Sequence, residues 1–318
     1  MRIGSPLKHP NLHRFTHQVM ATVFEIFLFH EDKAYSHQAA MEAFRLADAL
    51  ETELSRFIPN GDIGRINALE PGESTLVGLH AFACLKRGIE LGRETGGCFD
   101  IFIGSLKDEW AGGESRGEKS SAWRMDDIRW RQDRVPLRLN EETFEVRLSD
   151  RVVVDLGAYG KGYAVDRMAE SLREWDVESA LVHGGRSSVY AFGRLSDRSG
   201  WPVTISHPQD RGKILRRFEL HSEAMGASGL EKGSHIFDPR TGGPVRDRIA
   251  AWVLGPDAAT ADALSTAFMV MEPEDVRTYC SGRPELQALV MIKEGTGEGD
   301  STHLMTFGIS ALNDNKKT

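Results

Sequence analysis

The stretch VVDLGAYGKGYAVDRMAESLREW, residues 153–175, sets the tightest limit on what this chain can fold into. The β-branched run Val152, Val153, Val154 predicts a buried strand, and Ala164, Met168, Leu172 and Trp175, three and four apart, predict a helix with one apolar face. Between them Gly157, Gly160 and Gly162 surround one lysine, Lys161. Glycine lets a backbone come close to a ligand, and the unpaired amides of a helix start favour an anion such as phosphate. The spacing is not that of a P-loop, because no four-residue gap separates the glycines ahead of the lysine and no Ser or Thr follows it. Taken alone, the turn reads either as a phosphate cradle or as a tight strand-to-helix connection.

A chain of 318 residues can bury a sizeable core as one large domain or two ordinary ones. Its hydrophobic share of 40% and charged share of 27% are those of a globular protein. A formal net charge of −8 argues against sequence-independent nucleic-acid binding, which needs a basic footprint, so small molecules or proteins are the expected partners. Cys84, Cys98 and Cys280 are too scattered for a disulfide framework or a zinc site and suit a reducing compartment. No apolar segment follows the basic start, and no run reaches the ~18 apolar residues of a spanning helix; a cytoplasmic location with no membrane span is expected.

Residues 1–16 are expected to form a flexible leader and residues 312–318 a flexible tail, with one domain over 17–311. Thr22–Phe29 is apolar on both faces and predicts a central strand; helices are predicted over 37–54 and Leu79–Glu94. Pro59, Asn60 and Gly61 mark a turn, and the nearby Phe57 is expected in the core unless it meets a flat ligand. Residues 98–104 predict a short apolar strand holding Asp100, an acid that needs a partner if buried. Residues 107–134 predict an exposed loop with at most one short helix, and a series of short strands follows in the second half, with a helix from Thr260. Helices and strands mix without strict βα alternation, so the expected class is α+β with mixed, largely antiparallel sheets and packed helices.

Two further clusters carry chemistry. HIFDPRTGGP, residues 235–244, compresses His235, Asp238 and Arg240 between turn formers. It reads as a well-made loop, or as a site in which His235 is a general base, Asp238 orients a neighbour and Arg240 meets an anion. Asp262 and Thr266, four apart on a predicted helix, share a face and offer oxygen to a hard divalent cation; equally, Asp262 can cap the helix while Thr266 packs.

In this order the clusters resemble the FAD:protein FMN transferases, the ApbE-like family. The likeness rests on LSRFIPNGDIGRIN, GGCFDIFIGSL, DLGAYGKGYAVDR, the HGG at 183–185, WPVTISHP, SHIFDPRTGGP and ADALSTAF. It implies an ApbE-like, T-fold-like architecture and transfer of FMN from FAD to a Thr or Ser hydroxyl of an acceptor protein with release of AMP, aided by Mg²⁺. It makes Asp262, Thr266 and the Gly160 carbonyl the magnesium ligands, sets Lys161 beside the phosphates, makes His235 the group that helps deprotonate the acceptor and Asp238 the acid that supports its loop. It places Ser55, Phe57, Asn67, Asp100, Gly104, Gly184, Gly185, Ser228 and Arg240 along the flavin nucleotide. The chain departs from the family pattern at Ala158, where a glycine is usual, at Gly160, where alanine is common, and at Arg186, where an acid is usual.

Overall fold

The computed structural model describes residues 1–3, 9–114, 135–210, 212–230, 236–294 and 301–308. In chain order the elements are β1 (Arg2–Ile3), β2 (Leu12–Val19), β3 (Thr22–Phe29), α1 (Lys33–Leu54), α2 (Asp62–Asn67), β4 (Ser74–Leu76), α3 (Leu79–Glu94) and α4 (Gly104–Glu114). There follow β5 (Leu137–Asn140), β6 (Glu145–Leu148), α5 (Gly160–Glu174), β7 (Ala180–Gly184), β8 (Ser188–Phe192), β9 (Trp201–Ser206) and β10 (Ile214–Leu220). The last are β11 (Glu223–Gly229), β12 (Arg248–Gly255), α6 (Ala258–Phe268), α7 (Pro273–Ser281), β13 (Gln287–Glu294) and β14 (Ser301–Phe307).

Eight strands form one antiparallel sheet in the order β14-β13-β12-β11-β8-β7-β3-β2. Because strand side chains alternate between faces, the sheet carries two cores. On one face Phe24, Ile26 and Leu28 of β3 and Val182 of β7 pack with apolar residues of α1, α5 and α6, among them Phe44, Ala164, Met168 and Leu264. On the other, Leu181, Val189 and Trp252 pack with Trp201, Val203 and Ile205 of β9, the middle strand of a second sheet ordered β1-β9-β10. A third small sheet, β4-β6-β5, completes the mixed, largely antiparallel α+β architecture expected from the sequence.

Local chemistry explains the helix that spans the first face. Asp32 caps α1 by accepting from the amides of Ala34 (2.7 Å) and Tyr35 (3.0 Å), and Ala40, Ala43, Phe44, Ala47, Leu50 and Leu54 recur at helical spacing and are all buried. Among the described residues no helix is long and apolar enough to cross a membrane.

Several expectations need correction. Residues 1–16 are not wholly a leader: Leu12 to Thr16 belong to β2, paired with β3, and Arg2 and Ile3 pair with β9. Thr16 and its neighbours alternate polar and apolar, and the strand is held by its hairpin rather than by an apolar run. The runs 98–104 and 152–154 are not regular strands; they touch only through one parallel bridge, Ile103 with Val153, with Asp155 N donating to Ile101 O (2.7 Å) and Gly104 N to Val153 O (3.1 Å). Other polar groups there are met by side chains or turn carbonyls, as when Phe99 N donates to Thr95 Oγ1 (3.1 Å) and Cys98 N to Thr95 O (3.2 Å), so burial needs no ladder. The segment 107–134 begins inside α4, and its residues 115–134, like the tail 312–318, lie outside the described residues.

Candidate active site

The glycine turn of residues 157–162 and helix α6 meet at a cavity of about 1350 Å³. What brings them together is backbone contact. A β-carbon on Gly162 would lie 2.2 Å from Ala258 O, and one on Gly226 of β11 would lie 2.3 Å from Ala261 O, so α6 rests directly on the start of α5 and on the sheet. Asp166 of α5 then accepts from the amides of Ala258 (2.8 Å) and Ala259 (2.9 Å), and Asp257 accepts from Thr260 (2.7 Å). Three amides at the α6 start are thereby satisfied by carboxylates. The start of α5, by contrast, has no side-chain cap. Burial raises the Asp166 carboxyl to about 7 against the pull of those amides.

On the cavity side of α6 stands Asp262, 4% exposed. Its Oδ2 accepts from Ser188 Oγ at 2.5 Å, whereas Oδ1 is buried without a hydrogen-bond partner. Burial raises this carboxyl to about 6, opposed by the Lys161 ammonium, the Ser188 hydroxyl and the Gly162 amide. Thr266, one turn on, lies with its Oγ1 2.9 Å from Ser228 Oγ, which also contacts Ser265 Oγ at 2.8 Å. Lys161 bends back, its Nζ donating to Gly157 O at 3.0 Å. Among the described residues no group of three or more His, Cys, Asp or Glu could hold a metal ion. A cation here would therefore meet one carboxylate and neutral oxygens, a donor set that suits a hard ion completed by phosphate and water. The partnerless Oδ1 fits that use, since a buried carboxylate oxygen left unpaired is costly.

Of the other residues singled out from the sequence, Asp100, Gly185 and Ser228 line the same cavity. Asp100 Oδ1 accepts from Phe102 N at 2.8 Å, and Gly185 holds φ 64°, a left-handed conformation that glycine adopts without steric cost. Gly160 is buried at the first position of α5, and Gly184 is buried at the end of β7. Ser55 ends α1, where its Oγ accepts from Phe57 N at 3.3 Å. Phe57 is not in the core: it is 79% exposed, with the Arg56 guanidinium 4.6 Å from its ring centre. Asn67 spends its amide on the backbone of Val154, donating at 3.0 Å and accepting at 2.7 Å, and so replaces a strand neighbour. Gly104 allows α4 to touch residue 153, since a β-carbon there would lie 2.7 Å from Val153 O. Arg240 is committed to Asp238 through two side-chain bonds of 3.0 Å each, and neither residue lines the cavity, although Pro239 between them does. His235 lies outside the described residues.

Some participants had little sequence signal. Ser188, which holds Asp262, is recognisable only once β7 and β8 pair, whereas His183 stands in the HGG run and lines the cavity with neither ring nitrogen hydrogen-bonded. Burial, with the chain's amino terminus and Arg186 adding to it, lowers His183 to about 4, so its ring is neutral at pH 7. Asp166 had a signal, its place five residues after Lys161 on a helix that must contact α6, but the contact itself is tertiary.

A buried acid with one open oxygen, a helix start without a side-chain cap and a lysine meet on one cleft between a sheet and two helices. The chain belongs to the ApbE family, whose model matches residues 20–290. It is similar to the FAD:protein FMN transferase of Haemophilus influenzae, 28% identical over 268 residues covering 78% of this chain and 73% of that protein. It is also similar to that of Vibrio cholerae, 26% identical over 273 residues covering 80% of each. In fold it matches the flavinyl transferase ApbE of Pseudomonas stutzeri with a TM-score of 0.79 at 24% identity, covering 95% of this chain and 96% of that one.

Proposed function

We propose that this chain is an FAD:protein FMN transferase that moves FMN from FAD to a Thr or Ser hydroxyl of an acceptor protein, releases AMP and depends on Mg²⁺. The observation that carries the reading is the buried, partnerless Oδ1 of Asp262 opening beside Thr266 and Lys161 on a cavity large enough for a dinucleotide, in a chain whose relatives bear that name.

In the reaction the acceptor oxygen bonds to the phosphorus of the FMN half, the bond from that phosphorus to the bridging oxygen breaks, and AMP leaves with that oxygen. Asp262, Thr266 and the Gly160 carbonyl would hold the magnesium, which would neutralise charge gathering on the diphosphate. Lys161, at the positive end of α5, attracts the phosphates. His235 takes the acceptor proton, and Asp238, fixed by Arg240, keeps the adjoining turn in shape; its own carbonyl accepts from Gly242 N at 2.8 Å. Asp100, Gly185 and Ser228 border the nucleotide.

The test is incubation with FAD, Mg²⁺ and a protein carrying an exposed Thr or Ser, followed by AMP release and by flavin fluorescence on a denaturing gel. AMP together with labelled acceptor is the expected result. AMP with free FMN would make the enzyme a hydrolase, and bound FAD with neither product would overturn catalysis.

A further inference from the structure

A second lysine reaches the glycine turn. Lys107 of α4 lines the same cavity, and its Nζ donates to Asp155 Oδ1 at 3.0 Å. A β-carbon on Gly157 would lie 3.8 Å from that Nζ, while Lys161 Nζ is bonded to Gly157 O at 3.0 Å. Two ammonium groups thus converge on one glycine.

Asp155 has partners besides Lys107. It is buried, already accepts from Gly157 N at 2.8 Å, and faces Arg56 Nε at 3.0 Å; Arg56 in turn pairs with Asp108 at 2.7 Å. Arg56 is itself nearly buried, with 11% of its side chain exposed, and is anchored from two sides. Lys107 is 29% exposed on a flexible stem, so it is the cation able to turn from Asp155, leaving Arg56 and the Gly157 amide beside that carboxylate.

We propose that Lys107 is a second phosphate-binding group of this cavity, resting on Asp155 when no ligand is bound and passing to a phosphate oxygen of the diphosphate when one is. The inference rests on the reading that the cavity takes FAD. An ammonium-to-phosphate bond is charge-assisted, stronger than the neutral kind, and its loss is felt in affinity and in salt dependence.

The experiment uses the full chain as wild type, Lys107→Met and Lys107→Arg, with Mg²⁺ present throughout. It measures FAD affinity by fluorescence at several salt concentrations, competition by inorganic pyrophosphate, and the ligand-free melting temperature. Lys107→Met should weaken both FAD and pyrophosphate about tenfold and flatten the salt dependence, while Lys107→Arg stays within about threefold of wild type. Unchanged affinity in Lys107→Met overturns the inference. So does a loss that leaves the salt dependence intact or that Lys107→Arg shares in full, because either would make Lys107 only a brace for Asp155. Should wild type bind pyrophosphate but not FAD, the reading of the cavity fails, and the pyrophosphate comparison still decides the role of Lys107.

Discussion

The two parts of the site that the sequence marks most strongly are built in opposite ways. The α6 corner is held by backbone against backbone, at Gly162 and Gly226, and by a buried carboxylate that grips two amides. The turn around Asp238 is held by one ion pair, partly exposed on both sides, by its own short hydrogen bonds, among them Asp238 N to Gly243 O at 2.8 Å, and by the Trp110 indole of α4, which donates to Gly242 O at 3.1 Å. On the proposed reading, a metal and a diphosphate need fixed oxygens, which the first construction would provide. An acceptor protein would have to enter and leave, which the second would permit at small energetic cost.

That contrast breaks most visibly at Gly162. Alanine there would press on the backbone of Ala258 and Ala259, which cannot yield like a side-chain end, so a loss of about 3 kcal/mol or more in stability is expected, read as a fall in denaturation midpoint. Next is Asp262→Asn, which should lower transfer roughly 100-fold or more while raising the melting temperature of the ligand-free protein at pH 7. Since burial raises the Asp262 carboxyl to about 6, the folded chain binds its proton more tightly than the unfolded one. The stability this lends is complete at low pH and is lost as pH rises through that value. Stabilisation by Mg²⁺ should therefore be larger at pH 7.5 than at pH 5, and absent in Asp262→Asn, as melting curves with and without the ion would show.

Smaller effects are expected from the turn. Arg240→Ala should cost only about 0.5–1 kcal/mol in stability, because solvent screens the pair, yet should lower FMN transfer more than FAD affinity. The least is Gly160→Ala: a β-carbon there meets only Leu156 Cβ at 3.9 Å, so the substitution should be neutral or stabilise by up to about 1 kcal/mol with turnover retained. A large loss would mean that the backbone at this position must move.

What could be read from residues alone follows the same division. Leu79–Glu94 and Thr22–Phe29 were legible to the residue, because periodicity and burial agree over a whole element. The runs at 98–104 and 152–154 misled, since a short apolar segment looks alike whether ladders or side chains such as Thr95 and Asn67 satisfy its backbone. Asp262, Thr266 and Lys161 could be picked out by type and spacing. Their neighbour Ser188 could not, and Asp166 only by its place on the helix, because both act across strand pairing and helix contact, which no local pattern encodes. Phe57, expected inside, is outside because its turn projects it onto Arg56.

The caps on the two helices carry a consequence for the order of events. With three of its first amides taken by Asp166 and Asp257, α6 has no positive end left to offer, and what it turns to the cavity is the negative Asp262; α5 brings Lys161 to the same cavity. On the proposed reading, a diphosphate arriving alone would be repelled by the one helix, and a cation arriving alone by the other. Each ligand would then cancel the penalty the other meets, and by linkage each would raise the affinity for its companion by the same factor. Such a cleft would be a thermodynamic AND gate, most responsive to the preassembled ion–nucleotide pair.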